Sequence, residues 1–136
     1  MNRSTFMTVS AAASLAYGVA GLIASSQLAA TYGVTLDAQS EMVVKFLAAS
    51  YLGYAVTNWL ARRTTDAVAR SAIVLGNFSG WAISLAVALY GMSVIGARPF
   101  GWATIAIQLL FTSGWGYYAF VRGGARRPAA KPAGVG

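Results

Sequence analysis

At 136 residues the chain has room for one domain, and 57% of it is hydrophobic against 10% charged. A soluble domain carries about 25% charged residues, so this balance belongs to the membrane class. It holds neither cysteine nor histidine and three acids in all, Asp37, Glu41 and Asp66. That excludes disulfides, thiolate and imidazole metal sites and the usual general base, and no haem, iron–sulfur or zinc centre is expected.

Four long apolar runs follow one another, Ser10–Ala30, Met42–Ala61, Ser71–Met92 and Phe100–Val121. Each holds about 20 residues, the length a helix needs to cross roughly 30 Å of hydrocarbon at 1.5 Å per residue. The first run follows Arg3 and has the outline of a signal peptide over Val9–Ala24. It continues apolar to Ala30, so it is read as a retained first helix. Thr31–Glu41 is a polar outer loop in which Thr35, Leu36 and Asp37 can start a short helix leading into the second run. Arg62 and Arg63 stop the second run, and a short loop to Arg70 makes the second and third helices antiparallel neighbours. Ser93–Pro99 forms the second outer turn, with Pro99 tolerated in the first turn of the fourth helix. Residues 1–122 thus form a four-span domain, and 123–136 a flexible basic Gly/Ala/Pro tail.

The formal net charge is +7, yet its placement argues against nucleic acid as a partner. With the N-terminus inside, Arg3, Arg62, Arg63, Arg70, Arg122, Arg126, Arg127 and Lys131 fall on one face, and only Lys45 and Arg98 on the other. This is the positive-inside bias. It sets both termini in the cytoplasm of an inner-membrane protein, with Arg62, Arg63, Arg126 and Arg127 placed to attract anionic lipid. Tyr32, Tyr90, Phe100 and Trp102 form an outer aromatic belt, and Trp59, Tyr117, Tyr118 and Phe120 an inner one. The expected fold is all-α, a left-handed four-helix transmembrane bundle running up-down-up-down.

The third run carries Ala72, Gly76, Gly80, Ser84 and Ala88 at strict four-residue spacing. Small residues so placed let another backbone approach closely, and the stripe is the expected helix-packing or interaction face. Ala12, Ala16, Ala20 and Ala24 repeat the device in the first run, and Ala49, Gly53, Thr57 and Ala61 in the second. Among the few polar residues within the runs, Asn58 and Asn77 fall at similar depth on antiparallel neighbours, able to hydrogen-bond. Asn58, Asn77 and Gln108 with Trp81 are the candidate binding residues for a lipid, quinone or pigment. Tyr17, Tyr51, Tyr54 and Trp115 add bulk that packs a core or a flat apolar ligand. Asp66, close to Arg62, Arg63 and Arg70, is read as a solvated ion pair.

Tyr32–Gly33–Val34, Leu52–Gly53–Tyr54, Asn58–Trp59–Leu60–Ala61–Arg62, Ala72–Ile73 with Asn77, and Gly116–Tyr117 together resemble the small four-span bacterial inner-membrane proteins, including the DoxX-like group. The resemblance implies the fold and no activity, and it carries over no catalytic residue. The expected function is therefore non-catalytic: an accessory or scaffold subunit of a larger membrane complex, or a self-assembling protein. The alternative is a small passive transporter or a lipid-, quinone- or pigment-binding protein.

Overall fold

Each helix begins where a side chain can take up the backbone N–H groups that a first turn leaves unpaired. The computed structural model describes residues 1–96 and 98–122. Asn2 accepts from the Thr5 N–H and opens α1, Arg3–Ile23. After the seven-residue α2, Ser25–Thr31, Asp37 accepts from the Ser40 N–H and opens α3, Ala38–Ala61. That bond is also why the Asp37 carboxyl titrates below the usual carboxylate range. Asp66 does the same for Ala69 at the head of α4, Ala67–Ile95. It is thus a helix cap rather than the arginine-paired surface acid its neighbours suggest. Pro99 sits in the first turn of α5, Pro99–Gly116, and the backbone then widens into a π-helical turn over Tyr117–Val121. The tail 123–136, with Arg126 and Arg127, lies outside the described residues.

The molecule is all-helical over its described residues. The four long helices alternate in direction, as their cross-links show. The end of α3 meets the starts of α1 and α4 through Asn58, which bonds Ser10 and Asn77. The start of α4 meets the π-helical turn that follows α5 through Phe78 and Phe120, 5.1 Å apart. Two helices, Arg3–Ile23 and Ala67–Val94, are long and apolar enough to cross a membrane, with mean hydropathies of 1.7 and 1.8. The other two runs expected to span do not reach that level. Lys45, the tyrosines and Asn58 dilute α3, and Pro99, Gln108 and a Ser–Gly–Trp–Gly end dilute α5.

The first run is also not one continuous helix. Ala24 leaves helical geometry at φ −139°, ψ 38°, with neither Pro nor Gly at that position. What holds the bend is Ser25, whose Oγ donates to Glu41 Oε1 at 2.9 Å and draws α2 across the start of α3.

Packing is uneven. α1 lies close against α3, α4 close against α5, and the two pairs touch sparsely. The close seam in α1 is Met7, Ala11, Ser14, Gly18, Gly21, then Ser25 in α2, alternating steps of four and three. In α4 it is Val74, Asn77, Trp81, Ser84, Ala88 and Gly91; in α5, Gly101, Ile105, Gln108, Phe111 and Trp115. A mean step of 3.5 residues is the repeat of a left-handed supercoil. The expected stripes of four-residue spacing do not follow it. Each four-residue step overshoots a full turn by about 40° at 3.6 residues per turn, so such a stripe winds off any one face. Ala12, Ala16, Ala49, Gly53, Thr57, Ala72 and Gly76 are accordingly exposed, while Ser84 and Ala88 reach the seam.

The end holding the N-terminus is solid. Phe6, Met7, Ala61, Val74, Trp81, Phe111, Trp115 and Tyr118 form one core. Phe6 packs on Gly114, and its ring lies 5.0 Å from Trp115 and 5.4 Å from Tyr118. Tyr118 Oη donates to the Met1 carbonyl at 2.8 Å, which seals that end.

Candidate functional site

Asn58 and Asn77 exchange hydrogen bonds, Asn58 Nδ2 to Asn77 Oδ1 at 3.0 Å and Asn77 Nδ2 to Asn58 Oδ1 at 2.9 Å. Asn58 Nδ2 also donates to Ser10 Oγ at 3.3 Å, and Asn77 Nδ2 to the Ile73 carbonyl at 2.9 Å. Both side chains are buried, Asn58 wholly so. An amide pair whose N–H donors are all taken is a clasp joining α1, α3 and α4.

Gln108 stands apart from that clasp. Its Nε2 donates to Ser84 Oγ at 3.0 Å, two helical turns along α4 from Asn77. Its Oε1 is buried without a hydrogen-bond partner. Three of the four candidate binding residues therefore divide between two places, and Trp81 lies between them. Its ring stacks on Phe111 at 4.6 Å and 20°, forming the last layer of the solid end.

Beyond Trp81 the helix pairs diverge around a cavity of about 500 Å³. Such a volume lies within the roughly 300–1,000 Å³ usual for small-molecule sites. Its walls are Tyr17, Leu47, Ala48 and Tyr51 on one side and Trp81, Ala88, Gly91 and Gln108 on the other. Tyr17 and Tyr51 stack at 5.8 Å and 27°. α2 crosses above with Leu28 and Ala29, and Tyr32 Oη bonds Thr104 Oγ1 at 2.8 Å, fastening that roof to α5. A second cleft, about 470 Å³, adjoins the first along α3 and α4, with Tyr54, Asn77, Gly80 and Ser84 in its walls.

Arg98 lies at the outer end of the first cavity, and among the described residues it is the one charged group in the wall. Its guanidinium lies against Gly33, whose φ of +76° and lack of a side chain leave the space it fills. The other charges of this end are paired or capping. Lys45 Nζ meets Glu41 Oε1 at 2.9 Å, and Asp37 caps α3.

Among the described residues, the two glycines of the α4 stripe make no close backbone contact. A side-chain carbon at Gly76 would meet nothing within 4 Å, and one at Gly80 only the Tyr54 hydroxyl at 3.3 Å. The close approaches are at Gly18, where an added side-chain carbon would fall 2.5 Å from Leu52 Cδ2, and at Gly21, where it would fall 2.7 Å from Ala48 Cβ. Sequence reasoning passed over both glycines because it sought a four-residue period; the alternating step of α1 was the signal that held them. No protein-family model matches the chain, and no curated protein or solved structure matches it either.

Proposed function

We propose that the chain is a non-catalytic integral membrane protein whose cavity holds one lipid-like apolar molecule. In this reading the four long helices span the inner membrane up-down-up-down with both termini cytoplasmic. Large apolar side chains face outward from every one of them, among them Val19, Phe46, Leu60, Ile83 and Leu110, which supports a lipid surrounding. Arg3, Arg62, Arg63, Arg70 and Arg122 gather at one end, which supports that end as the cytoplasmic one.

The observation that carries the ligand reading is the cavity itself. Apolar helix pairs normally close on each other to native packing density, and here they part beyond Trp81 around walls of tyrosine, tryptophan and aliphatic carbon. Gly91 supplies the test, because it lines the space and a side-chain carbon added there would meet nothing within 4 Å. Gly91→Phe should send its ring into the cavity from the wall. Native mass spectrometry of the protein drawn from membranes in mild detergent should find one bound molecule on the wild type and none on Gly91→Phe. Identical spectra from the two proteins would end this reading.

A second reading, an accessory or self-assembling subunit, is favoured by the exposed Ala72 and Gly76 on α4. Small residues on an outward face admit a second helix at close range. The two readings are compatible, since the cavity and that face lie on different parts of α4.

A further inference from the structure

Resting on the ligand reading above, we infer that the cavity takes a single-chain amphiphile with a carboxylate head. The chain lies between the helix pairs and the head lies against the Arg98 guanidinium. Three observations meet here. The first is charge: among the described residues Arg98 alone is charged in the wall, with no acid in the lining to neutralise it. Lys45 is paired with Glu41 and Asp37 caps α3, so among the described residues of this end Arg98 is the cation without an ion-pair partner. A guanidinium presents a planar fork that fits a carboxylate with two parallel hydrogen bonds.

The second is length. Arg98 and Gln108 mark the two ends of the space and stand ten residues apart on one stretch of chain, which is about 15 Å of helix. That is half of the roughly 30 Å hydrocarbon layer, the depth one acyl chain occupies in its own leaflet. The third is volume. About 500 Å³ suits one ligand of drug-like size, hence one chain rather than the pair carried by a bilayer phospholipid. The head is a monoanion for the same reason of economy. A phosphate monoester brings about −1.5 to −2 charges, and a single arginine leaves part of that uncompensated.

The test uses the full chain purified in non-ionic detergent, with 9,10-dibromostearic acid and its methyl ester as probes. Bromine quenches tryptophan at close range, and Trp81 lies in the cavity wall; Trp81→Phe identifies its share of the signal. On the wild type the acid should quench saturably and bind at least tenfold tighter than the ester, a comparison that needs no variant. Arg98→Gln should remove that advantage and leave the ester unchanged, while Arg98→Lys should keep most of it. Equal binding of acid and ester, unaltered by Arg98→Gln, would overturn the carboxylate assignment and leave the cavity reading standing. Quenching by both probes that Gly91→Phe leaves untouched would mean that neither enters the cavity, and both inferences would fall.

Discussion

Asn58 and Asn77 depend on each other, so neither can be replaced alone at low cost. Asn58→Leu leaves the Asn77 amide oxygen and Ser10 without the donor they share. A buried polar group stripped of its partner costs about 1–3 kcal/mol. The double substitution Asn58→Leu/Asn77→Leu removes both amides at once and should cost less than the sum of the singles. Thermal unfolding in detergent micelles of the three variants measures this; strictly additive losses would contradict the clasp. The pair was legible in the sequence because a short connection makes α3 and α4 antiparallel neighbours, and both asparagines fall within the turns next to it. Gln108 was not legible in the same way. Its depth could be counted, but which neighbour it faces depends on the rotation of α5, and that is fixed by Phe111 and Trp115 packing against Phe6.

The same dependence on rotation governs the helices. A four-residue stripe and a 3.5-residue seam share residues only where they cross, at Ser84 and Ala88 on α4. Over one turn the two periods are indistinguishable; over five turns they lie on different faces. In α1 the difference decides which small residues matter. Gly21→Ile drives a branched side chain into Ala48 and should destabilise the fold by about 3 kcal/mol, the upper range for overpacking. Gly76→Ile meets open space and should change stability by less than about 0.5 kcal/mol, as at a surface position. Chemical unfolding of both variants in micelles separates them; an equal loss would show that α4 has a close partner at Gly76. The bend at Ala24 had no local signature either. It is made by a residue from α3, Glu41, reaching back to Ser25, a contact sixteen residues away in sequence that no local pattern encodes.

At the scale of the whole molecule the two ends differ in kind. The end with the N-terminus is filled by aromatic rings and sealed by Tyr118 on the Met1 carbonyl, and the other is hollow and roofed by α2. All the described arginines but Arg98 follow the filled end, so the positive-inside bias predicts that the hollow end faces outward. A single cysteine at Thr35, beside the roof, should react with an impermeant maleimide added to intact cells. One at Thr65, in the loop between α3 and α4, should react only after the membrane is opened. The reverse pattern would invert the molecule. The order and alternation of the four long helices were readable from run length and loop length; the break at Ala24 that sets α2 apart was not. The cavity was not, because it is a property of how two pairs lean together, and each pair taken alone reads as well packed.

The sparse contact between those pairs has a consequence for how the chain is made. Each pair is a hairpin of long helices that follow one another, joined by residues 24–37 with α2 among them in the first case and by 96–98 in the second. Residues 3–61 therefore contain every contact of the α1–α3 seam. That hairpin can be complete in the bilayer before α4 has left the ribosome, since nothing C-terminal is needed to close it. The groups it leaves waiting lie at both ends: Asn58, Met7 and the Phe6 ring at the filled end, and Tyr32 for Thr104 at the roof. Two hairpins fastened at their ends and each closed on itself enclose the hollow between those fastenings.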